Sequence, residues 1–366
     1  MSSVNIISIN SNRNINYDIE FCRSPFYKHL NEFLNNRFVF IISDNNVDKL
    51  YLDLNNDFLS SSNILGKYII PAGDENKTLS QAEKIIDELV RVNFNKDAII
   101  IAIGGGMAGD IAGFVSSIYL RGVEYINIPT TLLAMVDSSI GGKTAVNHVS
   151  AKNYIGSFYP PKKIIIDTSF INTLDDREYY AGLAEVLKYG IALDRDFFIW
   201  LEENKAKVLL RDKKTLEHLI YHSCKLKKKV VIEDELDKNT RMLLNFGHTT
   251  GHALEKYFEY KIIHGEAVAY GMLYACNLSY QLGCLEKKDY LRINNLIESY
   301  GITNSFLLDL KKLDLDKLEK YILKDKKSVS INNKVDSLEI QFVLLDSIGS
   351  SFLRSLKVSS VLSKLV

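Results

Sequence analysis

Residues 97–106 read DAIIIAIGGG, an unbroken apolar run that stops in glycines and passes into a helix-like stretch reaching about Leu120. A strand with no polar face has to be covered on both sides, which a one-sided sheet does not offer. Its neighbours repeat the pattern. FVFIISD (38–44), KYIIPAG (67–73) and VEYINIPTT (123–131) are further short apolar runs. Between them, LSQAEKIIDELVRVNF (79–94) carries Ile85, Ile86, Leu89, Val90 and Val92 at helical spacing, with Ser80 as the expected N-cap. Strands alternating with helices predict an α/β domain built on a parallel, Rossmann-like sheet.

The texture changes after about residue 175. REYYAGLAEVLKYGIAL, KTLEHLIYHSCKLKKKVVIEDE and HGEAVAYGMLYACNLSYQLG are long and helix-periodic. All five prolines (Pro25, Pro71, Pro129, Pro160, Pro161) come earlier, so none interrupts a helix in the second half. The chain therefore divides into an α/β domain at 1–175 and a mainly α-helical domain at 176–366, with a cleft between them as the default site. LEIQFVLL (338–345) stands as an isolated late strand signal.

A length of 366 residues suffices for two domains with buried cores. Lys+Arg and Asp+Glu both number 45, and a zero balance argues against generic binding to nucleic acid or a membrane surface. Cys22, Cys224, Cys276 and Cys284 show no CxxC spacing and read as reduced thiols. The first residues, MSSVNIISINSNRN, lack a basic segment followed by a long apolar run, so a cytoplasmic protein is expected.

Several stretches carry chemistry. AIGGGMAGD (102–110) holds a G-x-G-x-x-G pattern at Gly104, Gly106 and Gly109, between a strand and a helix. Such glycines let backbone approach a phosphate at a helix N-terminus, although close packing also uses them. The acid 20 residues beyond Gly104, Glu124, begins a strand instead of ending one, which departs from the usual ribose-binding pattern. Asp44, at the carboxyl end of the first strand, is the better ribose candidate. Asp110 is either part of that site or a first-turn acid.

IPTTLLAMVDSSIGGKTAVNHVSAKNYIGSF (128–158) gathers Thr130, Thr131, Asp137, Lys143, Lys152 and Asn153 among glycines. Lysines so placed suit a phosphate or carboxylate cradle, against the plainer reading of a solvated loop. AGLAEVLKYG (181–190) sets Glu185 and Lys188 three apart on one helix face. An exposed pair of that kind contributes only roughly 0.2–0.5 kcal/mol, but Ala, Val and Leu neighbours favour a less solvated acid and leave a ligand role open. NFGHTTGHALE (245–255) sets His248 and His252 four apart, which suits a shared metal or ordinary packing. With His264, expected at a helix start, the three histidines shift the balance toward zinc or a similar cation. No HExxH is present. The lysine run Lys225 and Lys227–Lys229 reads as a solvated helix face.

Taken in order, GGGMAGDIAGF, YLRG, IPTTLLAMVDSSIGGKTAVN, KNYIGSF, LAEVLKYG and LNFGHTTGHALE resemble the 3-dehydroquinate synthase family over nearly the whole chain. The GGGxxxD portion is shared with NAD-dependent polyol dehydrogenases; the GGKTAVN, KNYIG and LNFGHTTGHALE portions are far more specific. The resemblance implies an α/β N-terminal domain, a helical C-terminal metal-binding domain, a homodimer, catalytic NAD and one divalent metal, zinc or cobalt. It implies conversion of a phosphorylated seven-carbon keto-acid sugar, 3-deoxy-D-arabino-heptulosonate 7-phosphate, into 3-dehydroquinate and phosphate, the second shikimate step. The steps are transient oxidation, phosphate elimination, re-reduction and internal aldol closure.

Carried onto this chain, the resemblance makes Glu185, His248 and His264 the metal ligands, with His252 at the substrate phosphate and its proton transfer. It places Lys188, Asp137 and Asn245 beside His252 in the catalytic set. It maps NAD contacts to Asp44, Asp74, Lys77, Gly104, Gly105, Gly106, Asp110, Thr130, Thr131, Lys143, Lys152, Phe170 and Thr173. Substrate contacts map to Lys143, Asn153, Lys227, Arg241 and Lys326, the last taken ahead of Lys327, and to Arg121 reaching across the dimer. Asp74 and Asp237 stand where the family has glutamate, Asn239-Thr240 replace its Gly-Leu, and the spacer after Lys326 is longer. The alternatives are a polyol dehydrogenase, another sugar-phosphate cyclase, or a non-enzymatic interaction module in which the lysines and histidines are incidental.

Overall fold

The computed structural model describes residues 5–10, 16–22, 25–34, 36–52, 63–237, 239–308, 312–326 and 339–362. Its first half runs β1 (Asn5–Asn10), β2 (Asn16–Cys22), α1 (Phe26–Leu34), β3 (Phe38–Asp44), β4 (Asn63–Ile70), α2 (Leu79–Arg91) and β5 (Ile99–Gly104). It continues through α3 (Gly106–Ile118), β6 (Tyr125–Pro129), β7 (Lys143–His148), β8 (Ala151–Phe158) and β9 (Lys163–Asp167). Seven strands form one sheet in the order β1-β2-β9-β6-β5-β3-β4, parallel except for the antiparallel β1–β2 pair. The run at 97–106 supplies β5, buried at every position between β3 and β6, as its lack of a polar face requires. Phe40 and Ile42 of β3 pack with Ile85 and Leu89 of α2 and with Ile111 and Val115 of α3.

Two local expectations change. Thr78, not Ser80, caps α2: its backbone is still extended and its side chain accepts from Gln81 N, whereas Ser80 is already helical. The polar stretch at 128–158 is no plain loop either, since β7 and β8 pair as an antiparallel hairpin from Lys143↔Phe158 to His148↔Ala151.

From residue 176 the chain is helical: α4 (Asp176–Leu193), α5 (Arg195–Leu209), α6 (Lys213–Glu233), α7 (His248–Tyr257), α8 (His264–Gln281), α9 (Lys287–Ser299) and α10 (Leu315–Lys326). β10 (Glu339–Ser347), β11 (Ser350–Lys357) and α11 (Val358–Leu362) follow. LEIQFVLL is not isolated, because β10 pairs antiparallel with β11 through Ile340↔Leu356 and Leu344↔Phe352. Among the described residues no helix is long and apolar enough to cross a membrane.

Backbone packing divides the chain into Met1–Leu174 with Leu216–Leu236, and Asp175–Thr215 with Asp237–Val366. The sequence reading expects one cut at 175; most of α6 instead packs with the sheet-bearing unit. Cys224 donates to Met135 O at 3.4 Å, and the Tyr221 ring meets Phe21 of β2 edge-on at 5.4 Å. Helical periodicity shows that α6 has an apolar stripe, but not which unit covers it.

Candidate metal and nucleotide sites

Glu185 lies in α4, which is buried along most of its length because its sequence is small or apolar around nearly every turn. Glu185 has no exposure and Lys188, one turn on, has 2%, so their ion pair is an interior one. Lys188 Nζ donates to Glu185 Oε2. The other oxygen, Oε1, is 3.4 Å from His248 Nε2 and 3.5 Å from His264 Nε2. His248 opens α7 and His264 opens α8. Glycine brings these ends together: a Cβ on Gly265 would overlap the Ala181 backbone of α4, one turn before Glu185. A Cβ on Gly271 of α8 would likewise overlap the carbonyl of Gly247, where the chain turns into α7 at φ +80°.

These atoms can be tested against a cation. Nitrogen and oxygen ligands 2.0–2.2 Å from a tetrahedral metal lie about 3.3–3.5 Å from one another, and both Glu185 separations match. The three ligand atoms all lie within 4.8 Å of one another. Two imidazoles and one carboxylate are a donor set that catalytic zinc sites use, so the residues fit a divalent cation. His248 Nδ1 is 3.2 Å from Phe246 O, which accepts its proton and turns Nε2 toward Glu185. His252 falls in a different group from Glu185. Its ring centroid is 5.4 Å from that of His248, and it groups with Glu255 and His264 instead.

Burial, reinforced by Lys188, pulls His248 down to about 3. Burial acts the same way on His264, but Glu185 and Glu255 on either side outweigh it and push that ring up to about 10. Without metal, one imidazole is therefore neutral and the other protonated. The entry of α8 is pinned by Arg177, whose Nε and Nη2 donate to Glu266 Oε1 and Oε2 at 2.7 and 2.8 Å. Glu266 Oε2 also accepts from Ile263 N at 3.1 Å. The sequence assigns no role to Glu255, Arg177 or Glu266, although Glu266 is an acid in the first turn of a helix beginning at His264. Arg241 is buried, and Asn245 half-buried, in the turn Thr240–Asn245 that precedes α7.

In the sheet-bearing unit a second group of candidates converges. Lys77, 3% exposed, donates both to the Asp110 carboxylate and to Asn153 Oδ1. Lys152 Nζ lies 3.1 Å from Asp74 Oδ2, and Asn147 Nδ2 donates to Asp74 O at 2.9 Å. Asp110 thus answers Lys77 and does not serve as a first-turn acid; burial raises its carboxyl while Lys77 opposes the rise. Lys227 is not solvated, as the lysine run suggested, but 5% exposed, donating to Asp137 Oδ1 at 2.7 Å.

Asp44 Oδ1 accepts from Asn46 N and Val47 N at 2.9 and 3.1 Å, while Oδ2 would lie 3.0 Å from a Cβ on Gly104. Packing alone accounts for Gly104, since a Cβ there would come within 2.6 Å of Ala108 Cβ, whereas at Gly109 a Cβ would meet only the end of the Asn127 side chain, 2.9 Å from Nδ2. Gly105 and Gly106 stand at the start of α3, and Thr130 N donates to Gly104 O at 2.9 Å. Thr131 accepts from Ala134 N at 3.2 Å. Phe170 is buried edge-on to Tyr51, whose hydroxyl bonds Thr173 Oγ1. Lys143 and Arg121 are exposed, and the Lys326 side chain falls outside the described residues.

The chain is similar to known proteins over most of its length. A family model described as 3-dehydroquinate synthase N-terminal matches residues 67–181, and one described as 3-dehydroquinate synthase C-terminal matches residues 182–328. The 3-dehydroquinate synthase of Thermoanaerobacter pseudethanolicus is 42% identical over 328 residues, 89% of each chain. That of Francisella tularensis is 39% identical over 347 residues, 94% of each chain. Among solved structures, a 2-deoxy-scyllo-inosose synthase complexed with carbaglucose-6-phosphate, NAD+ and Co2+ superposes with a TM-score of 0.88 at 25% identity, covering 99% of both chains.

Proposed function

We propose how the work is divided in this chain, which belongs to the 3-dehydroquinate synthase family. Its reaction is the conversion of 3-deoxy-D-arabino-heptulosonate 7-phosphate into 3-dehydroquinate and phosphate. Glu185, His248 and His264 hold one divalent cation, zinc or cobalt. Asp44, the Gly104–Gly106 turn and the cluster of Asp74, Lys77, Asp110 and Lys152 hold NAD, with Thr130, Thr131, Lys143, Phe170 and Thr173 around it. Bound there, the cation supplies Lewis acidity at a substrate hydroxyl and NAD a reversible hydride acceptor, so no net NADH forms.

The chain's own residues do the rest. Lys188 balances the buried charge of Glu185 and presents an ammonium beside the metal ligands. His252, next to the triad but outside it, contacts the substrate phosphate and assists transfer of the proton that the substrate carbon loses as the phosphate departs. Arg241, Asn153 and Lys227 offer charge-assisted or amide hydrogen bonds to the carboxylate and phosphate, with Asp137 orienting Lys227. Asn245 and Lys188 keep the flexible intermediate in place while its ring opens and recloses. What carries this reading is Glu185, with one oxygen on a lysine and the other between two imidazole nitrogens.

The active enzyme is a homodimer in which Arg121 serves the partner's site. Leu120 and Arg121 are consecutive exposed residues at φ +46° and +63°. Left-handed non-glycine backbone costs of order 1–3 kcal/mol per residue and gathers where function fixes it. Free cysteines suit a reducing compartment, and we place the enzyme in the cytoplasm.

The test is an assay of the purified protein with zinc, catalytic NAD and the seven-carbon phosphate. Phosphate and dehydroquinate should appear together without NADH accumulating; steady NADH production from a simple polyol would identify a dehydrogenase instead. Glu185→Ala, His248→Ala and His264→Ala should each lose bound zinc, whereas His252→Ala should keep the zinc and lose turnover. Retention of zinc by His264→Ala but not by His252→Ala would overturn the ligand assignment.

A further inference from the structure

We propose that Glu255 is a positioning residue of the metal site, holding His264 by Nδ1 so that Nε2 faces Glu185. This rests on the ligand set proposed above. Both histidines present Nε2 to Glu185 Oε1 and turn the opposite ring nitrogen to an oxygen acceptor: Phe246 O at 3.2 Å for His248, and Glu255 Oε2 at 3.6 Å for His264. The second separation is longer than a hydrogen bond and within ion-pair reach. Glu255 is 3% exposed, and a carboxylate so buried is retained at a cost unless it answers a donor.

Its place in the helix supports the role. His248, His252 and Glu255 stand at i, i+4 and i+7 of α7, so one helix face carries a ligand, the neighbouring imidazole and the carboxylate that aims the other ligand. A rotation of α7 therefore moves His248 and the support of His264 together. Glu255 could instead join His252 and His264 as ligands of a separate cation. The two arrangements use opposite nitrogens of one ring, and filling both requires His264 to lose both ring protons. While Glu185 shares the cation, Glu255 is left with the N–H.

Zinc affinity of the full chain, measured by competition with a chromogenic chelator, tests this, with the metal-free melting temperature as the control for folding. Loss of a partner behind a ligating histidine weakens metal binding about 10–100-fold, which is expected for Glu255→Ala. Glu255→Gln keeps an amide oxygen for the Nδ1 proton and should restore affinity to near wild type. It should also leave the visible spectrum of the cobalt-loaded protein unchanged. Wild-type affinity in Glu255→Ala would overturn the proposal, and so would equally weak binding by both variants, which would make the carboxylate a ligand in its own right. If Glu255→Ala does not fold, Glu255→Gln decides alone through affinity and the cobalt spectrum. Absence of zinc from the wild type, or its retention by Glu185→Ala, would instead remove the ligand set and leave Glu255 with nothing to support.

Discussion

A carboxylate taken wholly out of water, as Glu185 is, stays charged only where cations answer it. Lys188 and the protonated His264 are those cations in the metal-free protein, and a bound metal would share the task. Lys188→Met breaks this buried pair and is therefore expected to cost the metal-free protein up to about 3–5 kcal/mol, the penalty when a buried charge is left wholly uncompensated. Saturating zinc should recover much of the loss. Chemical denaturation with and without zinc measures both, and equal losses in the two states would show that Lys188 does not balance Glu185. Much of this site was legible before folding: apolar neighbours marked Glu185 as an acid out of water, and the family motifs separated His248 from His252. Glu255 and the Arg177–Glu266 clamp were not. Each matters through a partner 9 or 89 positions away, and such distances close only in the folded chain.

Among whole elements, apolar run and period were sufficient where an element has two covered faces, as in β3 and β5, or a strong stripe, as in α2. They failed where one partner of a hairpin is half exposed. β11 reads SSFLRSLK with a mostly intermediate or exposed pattern, so its pairing with β10 left little trace in the sequence. The β1–β2 hairpin did leave one, in the alternation of buried Ile7, Ile9, Tyr17 and Ile19. Ends of elements depend on single hydrogen bonds. Thr78→Ala should destabilise by about 1 kcal/mol, the typical value of a helix cap. Ser80→Ala, exposed in the first turn, should stay within about 0.5 kcal/mol of wild type. Thermal denaturation of the two variants settles which residue begins α2, and a larger loss at Ser80 would reverse the assignment.

At the scale of the molecule, the proposed dimer makes a prediction that no single subunit can satisfy. Arg121→Ala and His252→Ala should each be inactive alone. After unfolding and refolding an equal mixture, half of the dimers are mixed, and with Arg121 acting across the dimer each mixed dimer holds one site lacking both residues and one intact site. The mixture should recover about a quarter of wild-type turnover if Arg121 serves the partner's site, and nothing if it serves its own. A further consequence follows from the path of the chain, which passes between the two packed units at 174/175, at 215/216 and again at 236/237. A genetic crossover between two relatives anywhere from 175 to 215 joins one parent's sheet to the other parent's α6. The Lys227–Asp137 and Cys224–Met135 contacts then come from different ancestors. Natural mosaics should therefore be scarce in that interval, and the two halves of this chain should share one genealogy.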